Sequence, residues 1–325
     1  MATPIDKLTP TDPRVQHHTY TIPSSPHNTT YHYLVADPPP GTPATGTALL
    51  IHGFPDLSFG WRYQVPQLTA QGLRVVVPDL PGFGRTDAPA DLAAYSYKRV
   101  VEDLLAIVRH VQGRGEGEEV EKFVLGGHDW GGAVAWRFAL WYPGVLRCVF
   151  SLQFEGTEVE EAIVGREKIR AVLCAMFGGR REDRQEVFGV AQGLRTDLVE
   201  PEKIGESPLL SREEMDFYAD EYVKNGMRGP LCWYKTQKIN FDEERPLLAE
   251  GRTTVTVPSL MVMATRDAAL PPAMSAKMDE LCTDLVKREV NASHWALWET
   301  AADTNKHISE FLEGILKGQP LKASI

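Results

Sequence analysis

Residues 124–132 read Val124-Leu125-Gly126-Gly127-His128-Asp129-Trp130-Gly131-Gly132, and their reading decides the fold. The apolar run Phe123 to Leu125 is predicted to be a buried parallel strand, and Ala133 to Trp141 a helix. Between them stands a small-x-Asp-x-small pattern, Gly127 to Gly131. That pattern suits a sharp strand-to-helix turn whose central residue is strained. A Cβ beside it would clash with the strand or the helix. The plainer alternative is an ordinary turn with Asp129 as a helix N-cap.

As a nucleophile, Asp129 has a restricted chemistry. A carboxylate attacking an ester would form an anhydride. A carboxylate attacking a saturated carbon forms an alkyl-enzyme ester, which water can then hydrolyse. The expected substrate therefore carries an electrophilic saturated carbon with a leaving group, such as an epoxide or an alkyl halide.

Composition narrows the class. The chain has 325 residues, 43% hydrophobic and 24% charged, enough for one large domain or one domain with an insertion. Its net charge of −10 argues against nucleic acid or an anionic membrane surface as partner. Met1 to Tyr20 is polar and proline-rich, so no signal peptide is expected. No long apolar run predicts a membrane span. Cys148, Cys174, Cys232 and Cys282 lie far apart without metal-ligand spacing, so free buried thiols and a cytoplasmic location are expected.

Outward from the central turn, strands and helices alternate. Thr19 to Ile22 and Thr29 to Ala36 are predicted antiparallel strands. Thr47 to Ile51 and Leu73 to Val77 are buried parallel strands, with a helix over 61–71 between them. Ser96 to Val111 has helical period, and Val145 to Leu152 returns as a strand. Residues 155–245 are charge-rich and helical. Val257 to Ala264 and Asp284 to Val290 resume the strand pattern, and Ala302 to Leu316 is a closing amphipathic helix. The fold class is α/β, with a mostly parallel, doubly wound sheet. Residues 1–154 and 246–325 are expected to form the core, and 155–245 an inserted helical cap.

Four more segments carry the site. His52-Gly53-Phe54-Pro55 follows an earlier strand; Asp267 stands just past another; Ser293-His294-Trp295 follows the last. Late in the cap comes Gly226-Met227-Arg228-Gly229-Pro230-Leu231-Cys232-Trp233-Tyr234. Together with Gly127-His128-Asp129-Trp130-Gly131-Gly132, these motifs resemble those of the epoxide hydrolases of the α/β-hydrolase superfamily, across about residues 28–316.

The resemblance implies an α/β-hydrolase fold and a set of roles. Nucleophile, acid, histidine is the chain order of that fold. Asp129 would attack, His294 would activate water, and Asp267 would orient His294. The backbone N–H groups of Phe54 and Trp130 would form the oxyanion hole. Tyr234 would donate to the epoxide oxygen, and a phenol stays protonated at neutral pH. The cap lining is expected from Phe154, Leu173, Met176, Phe177 and Trp233, apolar side chains that suit a hydrophobic organic epoxide. Water is the second reactant, and neither metal nor organic cofactor is required.

One departure from the family pattern stands out. Epoxide hydrolases usually carry two cap tyrosines, but no tyrosine lies between Tyr142 and Tyr218. Cys174 or a neighbour takes that place in sequence, with Tyr218 or Tyr222 as a spatial substitute. Two other readings compete. Trp130 after the nucleophile also suits halide binding in a dehalogenase, although such enzymes often have Asn where Phe54 stands. The other is a binding role, or a different reaction, for the capped fold.

Overall fold

The computed structural model describes residues 4–23, 25–152, 163–189 and 193–318. β1 (Gln16–Thr21) and β2 (Thr30–Ala36) form an antiparallel hairpin. β3 (Gly46–Ile51), α1 (Gln64–Ala70), β4 (Leu73–Pro78), α2 (Tyr97–Val111), β5 (Phe123–His128), α3 (Trp130–Trp141) and β6 (Leu146–Leu152) follow in alternation. Next come α4 (Arg166–Met176), the two-residue pair β7 (Phe188–Gly189) and β8 (Gly193–Leu194), α5 (Arg212–Asn225), α6 (Arg228–Cys232) and α7 (Gln237–Ala249). β9 (Ser259–Ala264), α8 (Met278–Leu281), β10 (Leu285–Val290), α9 (Ala296–Glu299) and α10 (Ala301–Leu316) complete the chain order.

The main sheet runs β1-β2-β4-β3-β5-β6-β9-β10. Its first two pairings are antiparallel and every pairing from β4 to β10 is parallel. β3, β5 and β9 are apolar almost throughout because helices cover both faces of the sheet. α2 shows how a helix joins that core. Ser96 caps its start by accepting from the Arg99 N–H, and Val100, Val101, Leu104, Leu105 and Val108 form its buried stripe.

The strand order positions the site. From β3 the chain moves toward β4, and from β5 toward β6, so the connections leave these adjacent strands in opposite directions. The crevice at their carboxyl ends is the switch point where ligands bind in open α/β sheets. Phe54 follows β3 there and Asp129 follows β5.

Boundaries differ from expectation in instructive places. β5 continues past Leu125 to His128, because Gly126 and Gly127 remain paired with β3 and β6. α3 begins at Trp130, directly after Asp129. Among the described residues, the segment between β6 and β9 adds no strand to the main sheet. Its last helix, α7, runs to Ala249, so the sequence boundary at 245 falls inside a helix.

Candidate active site

Asp129 has φ 55° and ψ −125°, a left-handed backbone that a non-glycine residue rarely adopts. Its neighbours make the turn possible. A Cβ on Gly127 would lie 2.2 Å from the Gly131 carbonyl oxygen, and one on Gly131 would lie 2.1 Å from that of Ile51. The side chain is crowded too: a Cβ on Gly53 would stand 2.2 Å from Asp129 Oδ1. Glycine is therefore required on both sides of the Asp129 turn and on the facing loop.

The Phe54 N–H donates to Asp129 Oδ1 at 2.6 Å, and the Trp130 N–H also hydrogen-bonds this carboxyl. Asp129 Oδ2 lies 3.6 Å from His294 Nε2. That is a charge contact, longer than a hydrogen bond. On the far side of the ring, His294 Nδ1 is 3.0 Å from Asp267 Oδ2. Asp267 Oδ1 accepts from the N–H groups of Ala269 and Leu270 at 2.9 and 3.0 Å. Asp129, His294 and Asp267 thus stand in line.

Electrostatics divide the two carboxyls. Burial pushes Asp129 up to about 6, against the opposing pull of His294 and the two N–H donors. Burial also acts to raise Asp267, but its hydrogen bond to His294, the charge of that ring and the N–H groups of Leu270 and Ala269 together outweigh it and hold the carboxyl below the usual range. Burial acts to lower His294, yet Asp267 and then Asp129 raise it on balance.

Tyr234, just past α6, closes the site opposite the strand ends. Its ring meets Phe54 edge-on at 5.8 Å and Trp130 edge-on at 4.9 Å. Burial, and then the charge of Asp129, push its hydroxyl far above the ordinary phenol value. It remains a donor throughout the neutral range. α6 brings it there through close backbone contact: a Cβ on Gly229 would lie 2.5 Å from Gly82 Cα.

Next to these groups lies a small, narrow apolar cavity. Phe54 lines it from the core, joined by Ile163, Val172, Met176, Phe188, Leu194, Met227 and Leu231. Phe54 therefore belongs to both places, its N–H on Asp129 and its ring on the cavity.

The expected lining needs correction. Of its members, Met176 faces the cavity. Leu173 and Phe177 lie on the neighbouring stripe of α4 and its end, so they turn away from the face shared by Val172 and Met176. Phe177 packs instead on Trp295 and Trp298, with ring centres 4.7 and 5.1 Å apart. Trp233 donates its indole N–H to the Pro81 carbonyl at 3.0 Å and packs against Phe83 and Tyr95. Phe154 lies outside the described residues.

None of the named substitutes for the first cap tyrosine supplies a hydroxyl to this cavity. Cys174 is buried, with its sulfur 3.6 Å from the Arg170 guanidinium. Tyr218 donates to Asp56 Oδ1 at 2.6 Å, and Tyr222 to the Asp56 carbonyl at 3.3 Å.

Three residues near the site were not assigned from sequence. His52 Nε2 accepts from the Leu80 N–H and its Nδ1 donates to the Gly53 carbonyl, which fixes the loop carrying Phe54. His128 Nε2 donates to the His294 carbonyl at 3.1 Å. Burial lowers His52 to about 4 and His128 to about 3, so both are neutral struts. Asp56 is fully buried and raised by that burial to about 7. All three stand inside the quoted motifs or directly beside them, and that position was the available signal.

Comparison with known proteins fits this geometry. A family model described as the alpha/beta hydrolase fold matches residues 48–301. The chain is 40% identical to epoxide hydrolase srdG of Neurospora crassa, over 96% of this chain and 99% of that one. It belongs to the epoxide hydrolase family of α/β-hydrolases. Bifunctional epoxide hydrolase 2 of Sus scrofa is 29% identical over 81% of this hydrolase, which spans 51% of that relative. The crystal structure of epoxide hydrolase A from Mycobacterium thermoresistibile shares the fold, with TM-score 0.71, 24% identity and coverage of 92% and 98%.

Among the described residues no group of three or more His, Cys, Asp or Glu could hold a metal ion. No described helix is long and apolar enough to cross a membrane.

Proposed function

We propose that this enzyme hydrolyses an apolar organic epoxide to a vicinal diol through an ester on Asp129. The observation that carries the reading is the Asp129 carboxyl itself. Two backbone N–H groups hold it, that of Phe54 on Oδ1, while Oδ2 is directed toward His294.

In the first step Asp129 Oδ2 attacks a ring carbon and the carbon–oxygen bond of the epoxide breaks. The leaving oxygen takes the Tyr234 proton, leaving a β-hydroxy ester and a phenolate. Alkylation removes the Asp129 charge, so one of the influences that raised His294 disappears. The imidazole is then a freer base. In the second step water gives its proton to His294 Nε2 and its oxygen adds to the Asp129 carboxyl carbon. The N–H groups of Phe54 and Trp130 hold the resulting oxyanion. Collapse breaks the ester bond, and the departing alkoxide takes the remaining water proton from the new Asp129 carboxyl, which releases the diol and restores the carboxylate. The His294 proton balances the phenolate, which restores Tyr234.

The helices α4 to α7 serve in this reading as a cap over the strand ends, and the cavity beneath α4 takes the apolar substituent. A cytoplasmic location goes with it, supported by four buried cysteines that form no disulfide.

Intact mass after single turnover with aryl and alkyl epoxides tests the proposal. Wild type should give diol, and Asp129→Asn none. His294→Ala should accumulate an adduct of enzyme plus epoxide, because alkylation does not need the base. If no epoxide alkylates any of the three proteins, the reading fails.

A further inference from the structure

Met176 connects two parts of the molecule that the reaction uses at different steps. Its side chain lines the apolar cavity. Its carbonyl, at the end of α4, accepts a hydrogen bond from the Trp295 indole N–H at 3.2 Å. The last carbonyls of a helix lack partners within it, so this bond satisfies a group that otherwise needs one.

Trp295 directly follows His294 and forms one wall beside it. The two rings meet edge-on at 5.0 Å and 86°, while His128 stands on the imidazole at 5.1 Å. Trp295 is itself held from three sides. Trp298 stacks on it at 4.5 Å and 12°, Phe177 meets it edge-on at 4.7 Å, and Met176 accepts its N–H. Trp298 is anchored in turn, donating to the Gly60 carbonyl at 2.8 Å, with the Arg62 guanidinium 4.3 Å from its ring centre. Trp295 is 5% exposed, so its bond to α4 forms away from bulk water.

We infer that Trp295 is a positioning residue that ties His294 to the cavity wall through the Met176 carbonyl. A substituent filling the cavity presses on Met176, and the same residue holds the indole beside the imidazole. The aromatic pair of Phe177 and Trp295 is the lateral support of that tie. The inference rests on the epoxide reading, and it concerns the second step alone. Trp295 is not among the residues that line the cavity, and its polar contact there is with the Met176 backbone, so alkylation should not depend on it.

The test separates the two steps in full-length enzyme with styrene oxide as probe. Wild type, Trp295→Phe and Phe177→Leu are compared by rapid quench and intact mass. Trp295→Phe keeps a ring but loses the N–H donor. Its alkylation rate should stay within about twofold of wild type. Its ester hydrolysis should slow about tenfold or more, in the range that small misplacements of a reacting group cause. The ester then accumulates, and kcat and KM fall together so that kcat/KM is kept. Phe177→Leu should move the same way by a smaller factor.

Unchanged hydrolysis in Trp295→Phe, or an equal loss in both steps, would overturn the inference. Should Trp295→Phe fail to fold, the same two-step split in Phe177→Leu decides. An adduct in wild type with normal hydrolysis in the variants rejects only this inference. No adduct in His294→Ala rejects the epoxide reading as well.

Discussion

Asp79 and Asp129 are both buried aspartates, one directly after β4 and one directly after β5, yet their carboxyls shift in opposite directions. Burial acts to raise each. At Asp79 it is overcome. His32 Nδ1 lies 2.7 Å from Oδ2, and the N–H groups of Ser58 and Arg85 donate at 2.9 and 3.3 Å. The carboxyl is held well below its usual range, chiefly by His32 once burial is offset. At Asp129 two N–H groups converge on the carboxyl and burial wins. Oδ2 faces the His294 imidazole at 3.6 Å, beyond hydrogen-bond length. On the proposed mechanism, the difference separates a structural carboxylate from a reactive one at equal depth. A full set of donors occupies the lone pairs, and a partial set keeps one for chemistry.

Exchanging each aspartate for asparagine breaks that comparison most directly. Asp129→Asn should lower turnover by at least about a thousandfold, the scale of losing a nucleophile. Steady-state diol formation measures it. Asp79→Asn should retain most activity per folded molecule, and a comparable loss there would merge the two classes. Its cost should appear in stability, by about 3–5 kcal/mol, because an amide replaces one acceptor with a donor amid groups that already donate. Urea unfolding at neutral pH checks this. Since the Asp79 carboxyl is lowered, its contribution is present above the unfolded value near 4 and lost as pH falls below it. The penalty of Asp79→Asn should therefore shrink in acid.

Tyr234 sharpens the Asp129 half of the comparison. Tyr234→Phe keeps the ring against Phe54 and Trp130 and removes the hydroxyl. Loss of one aimed donor to a developing oxyanion costs about a hundredfold or more. That loss should fall on the alkylation step, read as the rate of adduct formation in a His294→Ala background. No effect on alkylation would remove Tyr234 from the proton-donor role.

The turn around Asp129 was far more legible in sequence than the surroundings of Asp79. Apolar runs such as Leu73 to Val77 and Thr47 to Ile51 carry the buried-strand signal directly, since parallel strands covered on both faces lose alternation. The elbow was readable because its glycines are dictated by backbone contact and Gly127, which meets Gly131, stands with it in one short motif. His17, His32 and Asp79 were not readable as a group. His17 Nδ1 meets His32 Nε2 at 2.8 Å through strand pairing, and Asp79 arrives from a third element. Nothing in residue spacing reveals such a meeting. The expected pocket lining failed for a different reason. Leu173 and Phe177 are as apolar as Val172 and Met176, and only the rotation of α4 decides which pair meets the cavity. A helix with apolar residues on adjacent stripes does not announce that rotation.

The smallest effect is also the one most specific to the contrast. Asp129 is raised by burial to about 6, above its unfolded value, so keeping it charged works against folding. The sign follows from linkage. A group with a raised folded pKa adds stability below its unfolded value and loses it as pH climbs through the folded one. The amide introduced by Asp129→Asn cannot ionise, and its oxygen can still accept from the Phe54 N–H. Asp129→Asn should therefore match wild type near pH 4, gain on it between about pH 4 and 6, and keep a constant advantage above, of about 1–3 kcal/mol. Chemical denaturation across that range measures it. The curve for Asp79→Asn bends the other way, toward a deficit that grows with pH and levels off near 4. If both variants were destabilised at neutral pH, Asp129 would be a structural carboxylate like Asp79. A gain from Asp129→Asn would mean that the fold keeps this carboxylate against its own stability, as a nucleophile held ready in a dry site requires.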